Sequence, residues 1–398
     1  MRCVGQRENA KRHEFIRNNR RQVDPYAGLL DLLEIIRVLH TPRKFDQLIT
    51  YAPPPKPIEQ LYDALSPEQA QKLVDIALDT NGTDLSEDIA RSLAILTDHD
   101  ISRLQSAWVE AGEFWPAVIF RNSPAVVRDQ IIRSLDSCDG GADKRLSVNH
   151  ALCALAWIGD QTTQQKFAEW QRQPLSWRDS LHVGPNGYAH TAGWELHNDR
   201  RRDLFYRECW AIVSAAADAP VDASITTFAP ALGSCPWCHR PLAHLIEINL
   251  NDPRFAFLKI DVPSLAVLTC DACTCYSEHI FAHVGEMGAT TWHESNTTPS
   301  YLPEDNKSLS PNPWREHSCE LVRRRPMQSV EGSPVDASQI GGLPGWVQDS
   351  AYPSCPDCGE TMRFIAQLDN SRFSGYEGVY YAFLCACCRV TATGYQQT

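Results

Sequence analysis

The chain has no run of about 18 consecutive apolar residues, so no transmembrane helix is expected. Its start, MRCVGQRENA, has no apolar core after its charges, so no signal peptide is expected and the cytoplasm is the expected compartment. Positive charge is in deficit: 37 Lys and Arg stand against 49 Asp and Glu, a net charge of −12. Phosphate backbones need a basic surface, so this balance argues against nucleic-acid binding. Motifs of common catalytic machinery are missing as well. There is no HExxH, no GxSxG, no GxxxxGK(S/T) and no GxGxxG. In GYAHTAGWELHND, His190, Glu195 and His197 are close enough to be weighed as an acid–base group. In TWHES, adjacent His293 and Glu294 point apart on a strand. Neither set is ordered by a known motif, so no catalytic residue is assigned and a non-enzymatic protein is expected.

Acid is unevenly placed. Residues 1–50 carry ten Lys/Arg against six Asp/Glu, residues 59–100 two against ten, and residues 221–398 eleven against 19. An acidic stretch suits a basic protein partner. Asp84, Glu87, Asp88, Asp98 and Asp100 are the candidate partner-binding residues.

The first half reads as helices. DPYAGLLDLLEIIRVLH (24–40) has helical apolar spacing after an Asp-Pro start. SPEQAQKLVDIALDTNG (66–82) opens on Ser66, with Pro67 at the first helical position and Glu68 following. Residues 86–96, 99–112, 123–135, 147–159 and 160–172 follow the same plan. Short helices joined by short turns predict a HEAT-like α-helical repeat. Near residue 214 the composition changes. SAAADAPVDASITTFAPALGS (214–234) is poor in large apolar residues and reads as a boundary. Strand-like runs follow at 243–250, 255–262, 264–270 and 380–386, with a polar, Pro-rich connector at 297–314. The expected fold is α+β and multidomain: an N-terminal helical arm (1–55), a helical-repeat domain (56–220) and a mainly β module (221–398). Most of the eleven tryptophans are expected in cores, where a large ring buries much area.

Cysteine is plentiful, with 15 in the chain. In a reducing compartment, clustered cysteines point to metal more than to disulfides. CPWCHRPLAHLIEINLND (235–252) aligns with CPDCGETMRFIAQLDN (355–370) without a gap, pairing Leu242 with Met362, Leu245 with Ile365 and Ile248 with Leu368. Each run leads through strand-like sequence to a second pair, Cys270 and Cys273 or Cys385 and Cys388, after intervals of 31 and 26 residues. The β module therefore contains an internal repeat, 235–296 and 340–398. Two CxxC knuckles brought together make a tetrahedral four-thiolate site. The expected ligands are Cys235, Cys238, Cys270 and Cys273 for one Zn²⁺, and Cys355, Cys358, Cys385 and Cys388 for a second, both structural. Cys275 and Cys387 are alternative thiols within the clusters, and His239 and His279 are nearby alternatives. A redox dithiol needs CxxC to open a helix, whereas strand-like sequence follows here. Cys3, Cys138, Cys153, Cys209 and Cys319 lie outside the knuckles.

The stretch QIGGLPGWVQDSAYPSCPDCGETMRFIAQLD (339–369) and the ending EGVYYAFLCACCRVTATGYQQT (377–398) resemble the YwqG-like family of bacterial proteins. TAGWELHNDRRRDLFYRECW (191–210) and CPWCHRPL…TCDACTCY (235–276) resemble a subgroup that joins helical repeats to this module. The GG-P-W and CxxC elements are distantly similar to eukaryotic programmed-cell-death-two and ribosomal-chaperone relatives. The resemblance implies a zinc-stabilised adaptor without catalysis, and some such proteins resemble immunity proteins of Rhs-type polymorphic toxins. The expected role is an immunity protein that binds a toxin domain and occludes its active site, with neither nucleic acid nor membrane as partner. The alternative is a cytosolic chaperone or adaptor holding a basic client. In IGGLPGWVQ (340–348), glycines permit a tight backbone and Trp346 is expected to cap the core.

Overall fold

A side-chain cap fixes where three of the N-terminal helices begin. In the computed structural model, which describes residues 15–215, 222–303, 319–328, 337–371 and 377–397, Asp31 and not Asp24 starts the first long helix. The Asp31 carboxylate accepts the Leu33 N–H at 3.2 Å and satisfies an otherwise orphaned donor, so helix α1 spans Leu32–His40 and residues 24–31 stay outside it. After α2 (Ile58–Asp63), Ser66 forms a capping box for α3 (Pro67–Asp79), closed by Gln69 and not by Glu68. Helices α4 (Asp84–Leu96) and α5 (Ser102–Ala111) follow. Strands β1 (Arg21–Val23) and β2 (Ile49–Tyr51) form a parallel pair. The polypeptide divides into two compact units, Met1–Val127 and Arg128–Thr398, a division at neither of the expected domain boundaries, 55/56 and 220/221. In the first unit α4 is the hub, with Ile89, Leu93, Ile95 and Leu96 buried and α1, α2 and α3 packed on it.

The second unit opens with helices α7 (Arg145–Ile158), α8 (Gln161–Arg172) and α9 (Pro185–Ala189), preceded by α6 (Ala125–Asp136), which straddles the division. Their core is aromatic. Trp170 meets Trp177 edge-on at 5.7 Å, and Phe167 stacks on Trp194 at 5.7 Å; all four rings are buried. Trp108 is buried likewise in the first unit, whereas Trp115 is exposed.

The composition change near 214 is not a structural boundary. Strands β3 (Trp194–His197) and β4 (Arg200–Asp203) form a ribbon, and β5 (Tyr206–Ser214) already belongs to the largest sheet. The segment read as a linker forms β6 (Ile225–Ser234), because Ile225, Phe228 and Ala229 bury against the core despite the small residues around them. The remaining strands are β7 (Pro241–Asn249), β8 (Ser264–Thr269), β9 (Ile280–Val284), β10 (Thr290–Trp292), β11 (Cys319–Arg323), β12 (Gln339–Gly342), β13 (Arg363–Asp369), β14 (Val379–Cys385) and β15 (Val390–Gln396). FAFLKIDV, expected to be a strand, is instead a 3₁₀ turn at Pro253–Leu258 capped by Asp252, with Phe255 and Leu258 on one buried face. The connector expected at 297–314 lies mostly outside the described residues.

The strands form a three-stranded sheet, β6-β7-β8, and an eight-stranded sheet ordered β10-β9-β15-β14-β13-β12-β5-β11. The sequence repeat is a repeat of topology. Strand, knuckle, strand, strand, knuckle, strand occurs once as β6 to β9 and again as β12 to β15. Each copy carries a bulge at the same place: Leu245 is the extra residue opposite β8, and Ile365 the extra residue opposite β14. Both bulged side chains are fully buried in one shared core. The last strands of the copies, β9 and β15, are equivalent and pair antiparallel with each other, Phe281 opposite Ala392. The first copy thereby lends β9 to the second copy's sheet, whereas its own sheet, β6-β7-β8, takes no strand from the second. Among the described residues no helix is long and apolar enough to cross a membrane.

Candidate functional site

Both first knuckles are built by one local device. In the first copy the Cys235 N–H donates to the Arg240 carbonyl and the His239 N–H to the Cys235 carbonyl, each at 2.8 Å. In the second, Cys355 N–H donates to Glu360 O at 2.8 Å and Gly359 N–H to Cys355 O at 2.9 Å. The turn needs a left-handed residue, supplied by His239 at φ 62° and by Gly359 at φ 76°. His239 is thereby accounted for as a turn residue; its side chain is exposed and lies outside the ligand set.

The eight predicted thiols meet in two groups of four, as expected. Metal–sulfur bonds of about 2.3 Å in a tetrahedron imply sulfur–sulfur edges of about 3.8 Å. In the first group Cys235–Cys273 is 3.9 Å and Cys238–Cys270 is 3.6 Å. In the second, Cys358–Cys385 is 3.7 Å. The donor spacing thus fits a tetrahedral metal ion. Hydrogen bonds from Cys270 and Cys273 lower the pKa of the Cys235 thiol, while Cys235 and Cys270 push that of Cys273 far up, so the close-packed thiols titrate unequally.

The two groups differ in exposure. All four cysteines of the first are buried, whereas Cys358 is exposed and Cys388 half-buried in the second. Cys387, which spacing left as an alternative, stands beside the second group, 3.3 Å from Cys385 and 3.7 Å from Cys388. Cys275 is exposed and points its thiol at the Ala272 carbonyl, 3.8 Å away. His279 is also outside the groups, with Nε2 on the Ala351 carbonyl at 3.1 Å. Cys138, Cys153, Cys209 and Cys319 lie apart from the knuckles, and Cys3 lies outside the described residues.

Polar braces around the knuckles were not visible in the sequence. In the first copy Arg240, just after one knuckle, pairs at 2.7 Å with Asp271, inside the other; both side chains are about nine-tenths buried. Removing one partner of such a pair costs about 3–5 kcal/mol. The second copy has Glu360 and Ala386 at the corresponding places and is braced from outside. Arg202 of β4 donates to Glu195 at 2.7 Å, to Glu360 at 2.9 Å and to the Thr361 carbonyl at 3.1 Å. Thr361 in turn donates to Glu195 at 2.7 Å. His197 faces Glu360 at 3.4 Å.

This network decides the role of the His190, Glu195 and His197 set. Burial would raise the Glu195 pKa, but hydrogen bonds from His190, Thr361 and Arg202 outweigh it and hold the carboxyl at about 2. Such a carboxylate is a poor proton acceptor near neutral pH. Glu195→Gln is expected to lower stability by about 1–3 kcal/mol, read as a urea midpoint shift, with metal content retained. An unchanged midpoint would remove the bracing role.

A second cluster gathers His283, His293 and Asp357. The two rings stack at 4.1 Å, and Asp357 lies between the cysteines of a knuckle. His293 accepts the Ser295 N–H through Nδ1 at 3.1 Å, so Nε2 carries the hydrogen shared with Asp357 at 3.1 Å. Both nitrogens are occupied, and the cluster is another brace on the knuckle. Glu294 is exposed and pairs with His283 at 2.9 Å.

The five predicted acidic contacts do not form one patch. Asp84, Glu87 and Asp88 lie in the first turns of α4, and Asp98 and Asp100 beyond its other end, about 20 Å along a helix of 13 residues. Asp88 pairs with Arg91 and Asp98 with Arg121, while Asp100 accepts the Ser102 N–H at 2.9 Å.

No model of a known protein family matches the chain, and no solved structure matches it. The uncharacterized protein YpfL of Salmonella typhimurium is 35% identical over 414 aligned residues, spanning 100% of this chain and 93% of that protein. At that identity over the whole chain, the protein belongs to the family of YpfL.

Proposed function

We propose that the protein is a non-enzymatic, protein-binding scaffold whose two four-cysteine groups each hold a structural Zn²⁺. The carrying observation is the donor set. Four thiolates at tetrahedral spacing leave no place on the ion for water or substrate, which is the pattern of structural zinc. Glu195, the carboxylate of the His190, Glu195 and His197 set, is committed to bracing a knuckle. The resemblance to YwqG-like proteins and the net charge of −12 favour a basic protein partner. The specific reading is an immunity protein in the cytoplasm that occludes the active site of a polymorphic toxin domain, with neither nucleic acid nor membrane as partner. Helices α3 and α4, joined by the turn at 80–83, supply a HEAT-like pair in this reading. The second reading is a chaperone or adaptor for a basic client, favoured by the acid spread along both ends of α4 and not gathered in one contact patch.

Tandem purification of the tagged chain from its native host separates these readings. Stoichiometric capture of one toxin domain, with loss of its activity, supports immunity. Recovery of many basic proteins supports the chaperone. Turnover of a substrate that survives in the Cys→Ser variants but is lost in His197→Ala would overturn both.

A further inference from the structure

The duplication supplies its own control for one cysteine. Cys270, Asp271, Ala272 and Cys273 of the first copy align with Cys385, Ala386, Cys387 and Cys388 of the second. Where the first copy has a buried alanine, the second has an exposed thiol. Cys387 Sγ lies 3.3 Å from Cys385 Sγ and 3.7 Å from Cys388 Sγ. The shorter distance is below the edge of about 3.8 Å between two sulfurs of one zinc tetrahedron. The second group is therefore a four-thiol set with a fifth thiol in contact with two of its members. Structural zinc takes four ligands, so one thiol of the five stays outside the ion's shell.

The surroundings of the two groups differ in the same sense. In the first all four cysteines are buried, and the Arg240–Asp271 pair ties one knuckle to the other at 2.7 Å. In the second, Ala386 takes the place of that carboxylate, and Cys358 as well as Cys387 is exposed. A solute can therefore reach the sulfurs of the second group and not those of the first. Cys275 shows that an exposed thiol close by in sequence is not enough. It lies two residues past Cys273, yet its thiol turns to the Ala272 carbonyl at 3.8 Å, outside the first group. Oxidation of a cysteine follows its exposure, and an adjacent thiol resolves the first product into a disulfide. Cys387 has both the exposure and the adjacent thiol.

The geometry points to Cys387 as an oxidation site through which a hydroperoxide ejects the second zinc ion. The inference rests on the structural-zinc reading above and makes one of the two ions conditional on redox state. The Cys387 sulfur attacks the peroxide, the O–O bond breaks, and the residue becomes a sulfenic acid as water leaves. The Cys385 thiolate then quits the ion and attacks the Cys387 sulfur. An S–S bond forms and hydroxide leaves. Two electrons have passed from the two sulfurs to the peroxide. The gap to be closed is from 3.3 Å to a bond of about 2.05 Å. Cys388, farther away at 3.7 Å and next in sequence, is the poorer resolving partner. The ion is left with three thiolates and is released. A dithiol reverses the change by taking the place of one sulfur in the disulfide and then closing on itself, which returns both cysteines as thiols.

The test uses the full-length, zinc-loaded protein with hydrogen peroxide as probe. Zinc is counted per chain beforehand, its release is followed with a metal-sensitive dye, and disulfides are mapped by mass spectrometry of alkylated peptides. About one ion of two is expected to leave, together with formation of a Cys385–Cys387 disulfide. Dithiothreitol with added zinc should restore the count. Cys387→Ala, loaded with the same two ions, should release the ion about tenfold more slowly or not at all. Cys275→Ala should release it at the rate of the unsubstituted chain. Equal rates in Cys387→Ala and the unsubstituted chain overturn the inference. So does a disulfide that forms first within the first group, or Cys387 oxidised to the sulfinic acid with both ions held. If Cys387→Ala does not fold, the disulfide map of the unsubstituted chain decides the matter. Two ions held throughout sink the inference and leave the structural-zinc reading standing. Fewer than about two ions before peroxide is added sink both.

Discussion

Cys270→Ser is expected to lower zinc from about two ions per chain to one or fewer, and to unfold most of the β module. A structural zinc contributes about 10–16 kcal/mol of folding free energy, while a whole domain is stable by only about 5–15 kcal/mol. No other interaction in this unit approaches that size. Cys270 is fully buried and directly follows β8, and the chain leaves its knuckle to form β9. Since β9 pairs with β15, loss of the first ion should release the strand that lies against the second copy. Cys388→Ser is the contrasting case. Its thiol is half-buried, its knuckle is braced from outside, and Cys387 stands 3.7 Å away as a replacement thiol. That variant should keep the fold and lose at most one ion. Metal analysis with near-ultraviolet circular dichroism reads both outcomes. Thiol-blocking reagent added slowly should release the exposed ion first and the near-ultraviolet signal second. Simultaneous release would mean the difference in burial has no thermodynamic weight. Two ions retained in Cys270→Ser would sink the ligand assignment.

How far such a site can be read from sequence depends on how local its determinants are. The knuckles were legible because two-residue spacing, a turn and a following strand lie within about a dozen residues, and the chain states the pattern twice. Even the paired bulges follow from the alignment of Leu245 with Ile365, although their geometry needed the register. Helix starts were legible where Ser66 or Asp160 caps, and missed at Asp31, because two acidic turn formers compete there: Asp24 accepts the Tyr26 N–H and Asp31 the Leu33 N–H, and only the second turn runs on into a helix. FAFLKIDV misled because its apolar residues fit either a strand or one face of a 3₁₀ turn, and Asp252-Pro253 decides for the turn. The braces were hidden for a different reason. Arg202 and Thr361 are 159 residues apart, and neither type signals its partner. The cavity lined by Trp346, Tyr352, Tyr381 and Phe383 is likewise assembled from β14, β15, the residues just before β9 and a loop that the sequence leaves far apart.

Gly341→Ala is expected to cost about 4 kcal/mol or more, enough to prevent accumulation of folded protein. Gly341 and Gly342 sit at φ 70° and 69°, where β12 shifts register against β5. A Cβ on Gly341 would lie 2.0 Å from the Glu208 carbonyl oxygen, an atom of the paired strand that cannot move without breaking the ladder. At Gly342 it would lie 2.6 Å from Cys209 Sγ and 2.9 Å from the Pro326 carbonyl. Conformation alone does not explain a cost of that size, since a left-handed L-residue loses only about 1–2 kcal/mol. Gly359→Ala separates the two terms. Gly359 has a similar φ of 76°, but nothing lies within 4 Å of its added Cβ. It should therefore cost only the conformational part, about 1–2 kcal/mol, and keep both metal ions. Urea midpoints of the two variants, at matched zinc content, give the comparison. Equal midpoints would show that the close approach of β12 to β5 is not what these glycines are for. A large gap would identify the approach as the reason the chain places two glycines ahead of the loop that walls the aromatic cavity.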